Sequence, residues 1–404
     1  AAEPLYILTD TAIVGRLGTP QLGGLAVAAT LVLTGYSVFI FLAYGTTGTV
    51  ARLLGAGQPA RAAAQGVQAL WLAGAIGVVL AGVGLALAEP AVGLMGAGPE
   101  VAPFALTYLR ISMAGVPSLM LVLAGTGYLR GLQDTRTPLA VAIGSAVANL
   151  VIELVLVFGL DLGIAGSAWS TVLAQSGAAA VYVTIVARHV RAAGVSVRPD
   201  RAALGTLATV SRDLFVRTAA LRASLLVATA VAARTGVVDL GAHQVAFEMW
   251  SFLALVLDAI AIAGQAMVGR LLGADDAAGA RAASRRMVEW GIAAGLVFAV
   301  VVAALSGVLP QLFTRDEEVI RLTSFLLLWV AVLQPVNAIV FVLDGVLIGA
   351  GDLRYLAWAM TVAAVAFVPV AVAVRLLDLG IGWLWAAIAL LMLVRLVTLG
   401  VRWH

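Results

Sequence analysis

Residues 116–136 read VPSLMLVLAGTGYLRGLQDTR, and residues 334–354 read QPVNAIVFVLDGVLIGAGDLR. The two stretches lie 218 positions apart, and in that register Pro117 falls on Pro335, Gly131 on Gly349, Asp134 on Asp352 and Arg136 on Arg354. The same offset carries Arg16-Leu17-Gly18 onto Arg234-Thr235-Gly236, and Arg52-Leu53-Leu54-Gly55-Ala56 onto Arg270-Leu271-Leu272-Gly273-Ala274. Asp161-Leu162-Gly163-Ile164 recurs as Asp378-Leu379-Gly380-Ile381, now 217 positions on, so one residue was lost between. One register held this long marks a duplicated module, each copy about half the chain. In a very apolar chain, two such halves build a transporter with its site at the repeat interface.

The apolarity is on the page. Of 404 residues, 62% are hydrophobic and 11% charged, with a mean hydropathy of +1.07; soluble proteins carry about 25% charged residues. Apolar runs of roughly 20 residues recur along the whole length, each long enough to cross a bilayer. The fold class is therefore an all-α polytopic membrane protein, without the short-period alternation of an outer-membrane barrel. All 24 basic residues are arginine, which excludes a Walker A lysine and a lysine Schiff base. There is no cysteine, and His189, His243 and His404 are far apart, which argues against disulfides, a zinc centre or any other metal site. The net charge of +3 gives no reason to expect a nucleic-acid partner.

Twelve spans are expected, at 1–15, 25–51, 65–88, 102–127, 138–158, 164–187, 212–233, 243–269, 287–309, 320–348, 355–374 and 381–401. The first is short, so its opening turns are expected upstream of Ala1; it lacks the basic start of a signal peptide. The domains read as an N-terminal six-helix bundle over 1–188, a cytoplasmic linker over 189–211 and a C-terminal six-helix bundle over 212–404. Thirteen arginines fall in loops on the side of the missing start, against Arg16, Arg234, Arg315 and Arg375 on the other. That asymmetry puts both termini in the cytoplasm; the expected location is a plasma membrane, crossed many times, and specifically a bacterial inner membrane. Six spans per half give both halves one orientation, related by a pseudo-twofold axis along the membrane normal.

Acids inside the spans are costly, at about 2.5–3.5 kcal/mol each near the centre, and so mark tasks or partners. Asp10 lies in the first span, with Glu3 seven residues earlier and Pro4 between them. The fifth span carries Asn149 and Glu153 on one face, and the sixth carries Thr171. These four, Asp10, Asn149, Glu153 and Thr171, are the candidate ion or proton site. The eighth span has a polar stripe of Gln244, Glu248, Ser251, Asp258 and Gln265, and the tenth has Gln334, Asn337 and Asp344 on one face. From these, Glu248, Asp258, Gln265, Asn337 and Asp344 are the candidate substrate-cavity residues. The structural alternative is an internal ion-pair network, with Arg222 on Asp258 or Asp344. Gly-Thr-Gly at 125–127, Gly-Ala-Gly at 349–351, Pro117 and Pro335 are candidate bending points.

Pro4-Leu5-Tyr6 and Asp10-Thr11-Ala12-Ile13-Val14-Gly15-Arg16-Leu17-Gly18 resemble the first-helix signature of the MATE family, the multidrug and toxic compound extrusion transporters. Leu129-Arg130-Gly131-Leu132-Gln133-Asp134-Thr135-Arg136-Thr137-Pro138 resembles that family's segment after its fourth helix. Asn149, Glu153, Val157-Phe158-Gly159-Leu160 and Gly163 to Thr171 resemble its fifth and sixth helices. Ala242-His243-Gln244-Val245 and Phe341 to Asp352 are similar to the DinF-like branch. The resemblance implies two six-helix bundles around a V-shaped cavity. It implies exchange of external protons, or sodium in some members, for organic cations and amphipathic toxins. It assigns the essential first-helix acid to Asp10, the helix-five pair to Asn149 and Glu153, and the helix-six hydroxyl to Thr171. Glu153 stands where relatives commonly carry aspartate. Asn337 stands where a sodium-coupled branch carries aspartate, which favours the proton.

The expected function is a proton-coupled efflux antiporter working by alternating access, with Asp10 as the main coupling acid. It needs no cofactor beyond the coupling ion, and its partners are a small organic cation or amphipathic drug and the lipid bilayer. A monomer is expected. The alternatives are a sodium-coupled antiporter of the same type and a lipid-precursor flippase of related fold; the flippase would have a basic cavity, whereas the intramembrane charges read as largely acidic. An intramembrane enzyme would need a nucleophile–base pair or a metal set that this composition lacks.

Overall fold

The computed structural model describes residues 10–403. The described part of the first helix, α1, is residues 10–14. It is followed by α2 (Thr19–Ser37), a 3₁₀ turn at Val38–Ile40, α3 (Phe41–Gly55), α4 (Pro59–Ala86), the short α5 (Ala88–Leu94) and α6 (Ala102–Gly131). Next come α7 (Arg136–Leu154), ending in a π turn at Val155–Gly159, and α8 (Gly163–Ala192). The remainder is α9 (Arg201–Thr235), α10 (Val237–Gly273), α11 (Ala277–Leu305), α12 (Glu317–Ala350), α13 (Leu353–Leu376) and α14 (Ile381–Trp403). Among the described residues there is no strand. Among the described residues, eleven stretches are long and apolar enough to cross a membrane, and they match the second to twelfth expected spans. Of the first expected span, residues 1–9 lie outside the described residues, and Glu3 and Pro4 with them.

The chain forms two compact units. One is Ala1–Leu54 with Gln58–Ser211, and the other is Gly55–Gly57 with Arg212–His404. In the first, α6 is the central helix and packs on α2, α4 and α8. In the second, α12 takes that place against α10, α11 and α14. The central helices correspond under the 218-residue offset, and so do their closest contacts. A methyl group added at Gly127 of α6 would sit 2.5 Å from the Ala43 carbonyl oxygen; one added at Gly345 of α12 would collide with the Ala261 carbonyl. Gly131 meets Val50 and Thr47 in the same way, and Gly349 meets Gln265. Each pair is shifted by 218 on both sides. Small residues that let helix backbones touch are the usual packing device inside membranes, where apolar burial alone gives little helix–helix preference. The helix stops repeat as well: Gln133 (φ 63°) and Gly351 (φ 81°) both turn left-handed at the ends of α6 and α12.

Pro117 and Pro335, the candidate bending points, lie inside the continuous helices α6 and α12, with Gly77 and Gly295 closing onto them. Two expectations change. The linker expected over 189–211 is non-helical only at 193–200. Asp200 Oδ1 accepts from the Ala202 and Ala203 N–H groups and starts α9 early, through the helix-favouring Ala202-Ala203-Leu204. The ninth span, expected from 287, belongs to a helix that begins ten residues earlier. Asp276 Oδ1 accepts from Gly279 N–H at 2.7 Å, so Arg281, Arg285 and Arg286 lie on helix α11 rather than in a loop.

Candidate functional site

The first unit gathers four of the expected residues. Asn149 and Glu153 lie one turn apart on α7, 1% and 0% exposed. Asn149 Nδ2 donates across to α8, to Ser170 Oγ and Thr171 Oγ1, both at 3.2 Å. Asp10, 4% exposed, receives the Tyr108 hydroxyl of α6 on Oδ2 at 3.1 Å. Asp10 and Glu153 lie close enough for each carboxyl to feel the other's charge, and Thr171 of α8 lies near Asp10. Ser167, on the same helix, is fully buried, and its hydroxyl has no hydrogen-bond partner among the described residues.

Donors are scarce here. Asp10 Oδ1, both Glu153 carboxyl oxygens and Asn149 Oδ1 have no hydrogen bond of good geometry among the described residues. Two neighbouring acids offer four acceptor oxygens, and the tyrosine fills one. Buried acceptors of this kind are costly to leave open. The site opens on a cavity of about 90 Å³, lined by Asp10, Tyr36, Tyr108, Ser112, Thr171 and Gln175 among others. That is room for on the order of three water molecules. Sequence reasoning missed Tyr108, Ser112, Ser167 and Ser170. A usable signal was present for two of them: Tyr108 and Ser112 stand one helical turn apart inside an apolar span.

The second unit treats its candidates differently. Asp344 of α12 is 5% exposed, and its Oδ2 accepts from Arg217 of α9 at 2.6 Å and from Arg395 of α14. Arg395 also lies over the Phe341 ring. The expected partner of Asp344, Arg222, is not the one used: Arg217 lies five residues away, on another face of α9. Arg395, 3% exposed, was missed altogether, although it is a lone arginine in the apolar run 381–401. The intramembrane charges of this half are thus basic as well as acidic, contrary to the expectation of a largely acidic interior. Glu248 is exposed and accepts from Gln244 Nε2 at 2.9 Å, while Asp258 is half-buried. Gln265 and Asn337 are buried, 1% and 2% exposed, with Asn337 Oδ1 lacking a partner among the described residues.

A family model described as MatE matches residues 1–155 and 215–373. The chain belongs to this family, the multidrug and toxic compound extrusion (MATE) transporters. It is 30% identical to the DNA damage-inducible protein F of Escherichia coli K12, over 99% of this chain and 88% of that protein. It is also 30% identical to the Arabidopsis thaliana protein DETOXIFICATION 44, chloroplastic, over 98% and 78%. Multidrug resistance protein PmpM of Pseudomonas aeruginosa is 28% identical over 85% and 74%. The fold matches the Vibrio cholerae MATE transporter VcmN in its bent form, with a TM-score of 0.88 at 20% identity, covering 100% of this chain and 91% of that one. This MATE protein is accordingly a multi-pass membrane transporter of a multidrug and toxin efflux family, and not an enzyme.

Proposed function

We propose that this MATE protein is a proton-coupled efflux antiporter in which Asp10 and Glu153 carry the coupling proton. The observation that supports this is the neighbouring pair of buried carboxyls, with one tyrosine donor on Asp10 and none on Glu153 among the described residues. A proton delivered from the outer side would bridge the acids, remove buried charge and free the Tyr108 and Thr171 hydroxyls to rearrange. A cationic or amphipathic substrate held by the carboxylates would lose its partner and leave. Linkage makes the effect mutual: substrate must weaken proton binding as much as protons weaken substrate binding. The arginine distribution supports cytoplasmic termini, and the likeness to a bacterial relative supports an inner-membrane location.

Sodium coupling is the second reading, and one observation favours it: the open oxygens of Asp10, Glu153 and Asn149 are hard donors of the kind sodium takes. Against it, Asn337 stands where a sodium-coupled branch carries an aspartate, so that branch's second acid is missing here. Purified protein in vesicles, with proton and sodium gradients imposed separately, decides between them. Efflux is expected to follow the proton gradient and to vanish in Asp10→Asn. Efflux driven by sodium alone would overturn the proton assignment, and wild-type efflux in Asp10→Asn would overturn the role of Asp10.

A further inference from the structure

The segment joining α8 to α9, residues 193–200, is strapped to the side of α4. Gln68, 4% exposed, uses both ends of its amide: Nε2 donates to the Arg198 carbonyl at 3.0 Å and Oε1 accepts from Asp200 N–H at 2.9 Å. Trp71 donates its indole N–H to the Val197 carbonyl at 3.0 Å. Beside this strap lies a groove of about 370 Å³, lined by apolar side chains that include Leu70, Trp71, Leu121, Val183, Ala187 and Val197. It opens outward, with Trp71 51% and Val197 54% exposed.

One end of the groove is strongly basic. Val183, Ala187 and Arg191 follow each other on α8 at four-residue spacing, so the apolar stripe ends in a guanidinium. Arg188, Arg198 and Arg201 belong to the same end of the unit. All four arginines are exposed, and none makes an ion pair among the described residues. Asp200, the acid among them, directs its carboxylate to the first N–H groups of α9. The result is surplus positive charge at the mouth of an apolar slot that runs into the membrane-spanning part of α4 and α8.

We propose that this groove docks an anionic phospholipid from the leaflet on the linker side. One acyl chain lies along α4 and α8, and the headgroup phosphate meets Arg191 and Arg198. The dimensions suit this occupant: eight helical residues from Val183 to Arg191 rise about 12 Å, close to one leaflet's share of a hydrocarbon core about 30 Å thick. Basic side chains just beyond a spanning helix attract anionic headgroups, and an indole hydrogen-bonded at the rim is the usual interfacial anchor. A soluble anion would have no use for the slot.

Native mass spectrometry of the full chain, incubated with equimolar dioleoylphosphatidylglycerol and dioleoylphosphatidylcholine, tests the proposal. Wild type is expected to retain the anionic lipid in about 30-fold preference, and Arg191→Gln with Arg198→Gln to bring the two lipids to parity. At Gly74, which lines the groove, an added Cβ meets only Leu121, at 3.9 Å, so Gly74→Leu starts its side chain in open space within the slot. That variant is expected to lose the retained lipid while its unfolding midpoint holds. Equal retention of both lipids by wild type, or unchanged retention of the anionic lipid in both variants, overturns the proposal. Displacement of the lipid by inorganic phosphate alone also overturns it, because the acyl chain would then contribute nothing.

Discussion

Tyr108 donates its hydroxyl to Asp10 Oδ2 at 3.1 Å, across 98 positions of sequence, and it is the one well-formed hydrogen bond to that carboxyl among the described residues. The tyrosine therefore positions the acid of the first helix against α6. Tyr108→Phe keeps the ring and removes the donor. Proton-driven efflux is expected to fall by about tenfold, as the loss of a hydrogen bond to a charged group implies, and to change its pH profile. Vesicle transport across a pH series reads both; an unchanged rate and profile would show that the bond is only structural.

The Asp344 ion cluster leads to a stability prediction. Asp344→Asn leaves Arg217 and Arg395 buried without their shared carboxylate. The expected loss is about 3–5 kcal/mol, the scale for breaking a buried pair from one side. Glu248→Gln, at an exposed position, is expected to stay within about 0.5 kcal/mol of wild type. Unfolding midpoints in detergent compare the two, and equal midpoints would count against the cluster as a stabilising element.

The duplicated contacts predict duplicated costs. Gly127→Ala and Gly345→Ala each force a methyl group onto a carbonyl of the neighbouring helix. Both are expected to destabilise by about 1–3 kcal/mol. Gly144→Ala, where an added methyl group meets open space, is expected to be neutral or mildly stabilising. The same unfolding series checks all three.

Asp134 provides a pH dependence outside the spans. Its Oδ2 accepts the Thr137 hydroxyl at 2.5 Å, and its Oδ1 accepts the Thr137 and Arg136 N–H groups at 3.0 Å. Thr137, first through its hydroxyl and then through its N–H, holds this carboxyl below the usual carboxylate range. A folded-state value below the unfolded one stabilises above the unfolded value and ceases to do so as pH falls through the folded one. Asp134→Ala is expected to cost about 1 kcal/mol at neutral pH. The gap to wild type should close below about pH 4. A gap independent of pH would rule out the carboxylate as its source.

Much of this was legible along the chain. Hydropathy shows the spans, because a bilayer demands about 20 apolar residues wherever the chain crosses. The offset of 218 shows the duplication, and it reappears in the left-handed stops at Gln133 and Gly351 and in the glycine contacts of α6 and α12. Asp10, Asn149, Glu153 and Thr171 stood out because a polar group inside a span is expensive wherever its partner lies.

The partners themselves were decided by tertiary structure. Tyr108 reads as one more aromatic residue in an apolar run until α6 turns it toward Asp10. Arg395 and Arg217 are separated from Asp344 by 51 and 127 positions, and nothing local distinguishes Arg217 from Arg222. Likewise Gln68 is an ordinary polar residue near a helix start until the strap at 197–200 lies against it. The physical reason is common to all of these. Burial and helix period act along the chain and leave a mark in composition, whereas hydrogen bonds and ion pairs depend on which helix faces meet, which is set by packing between segments far apart in sequence.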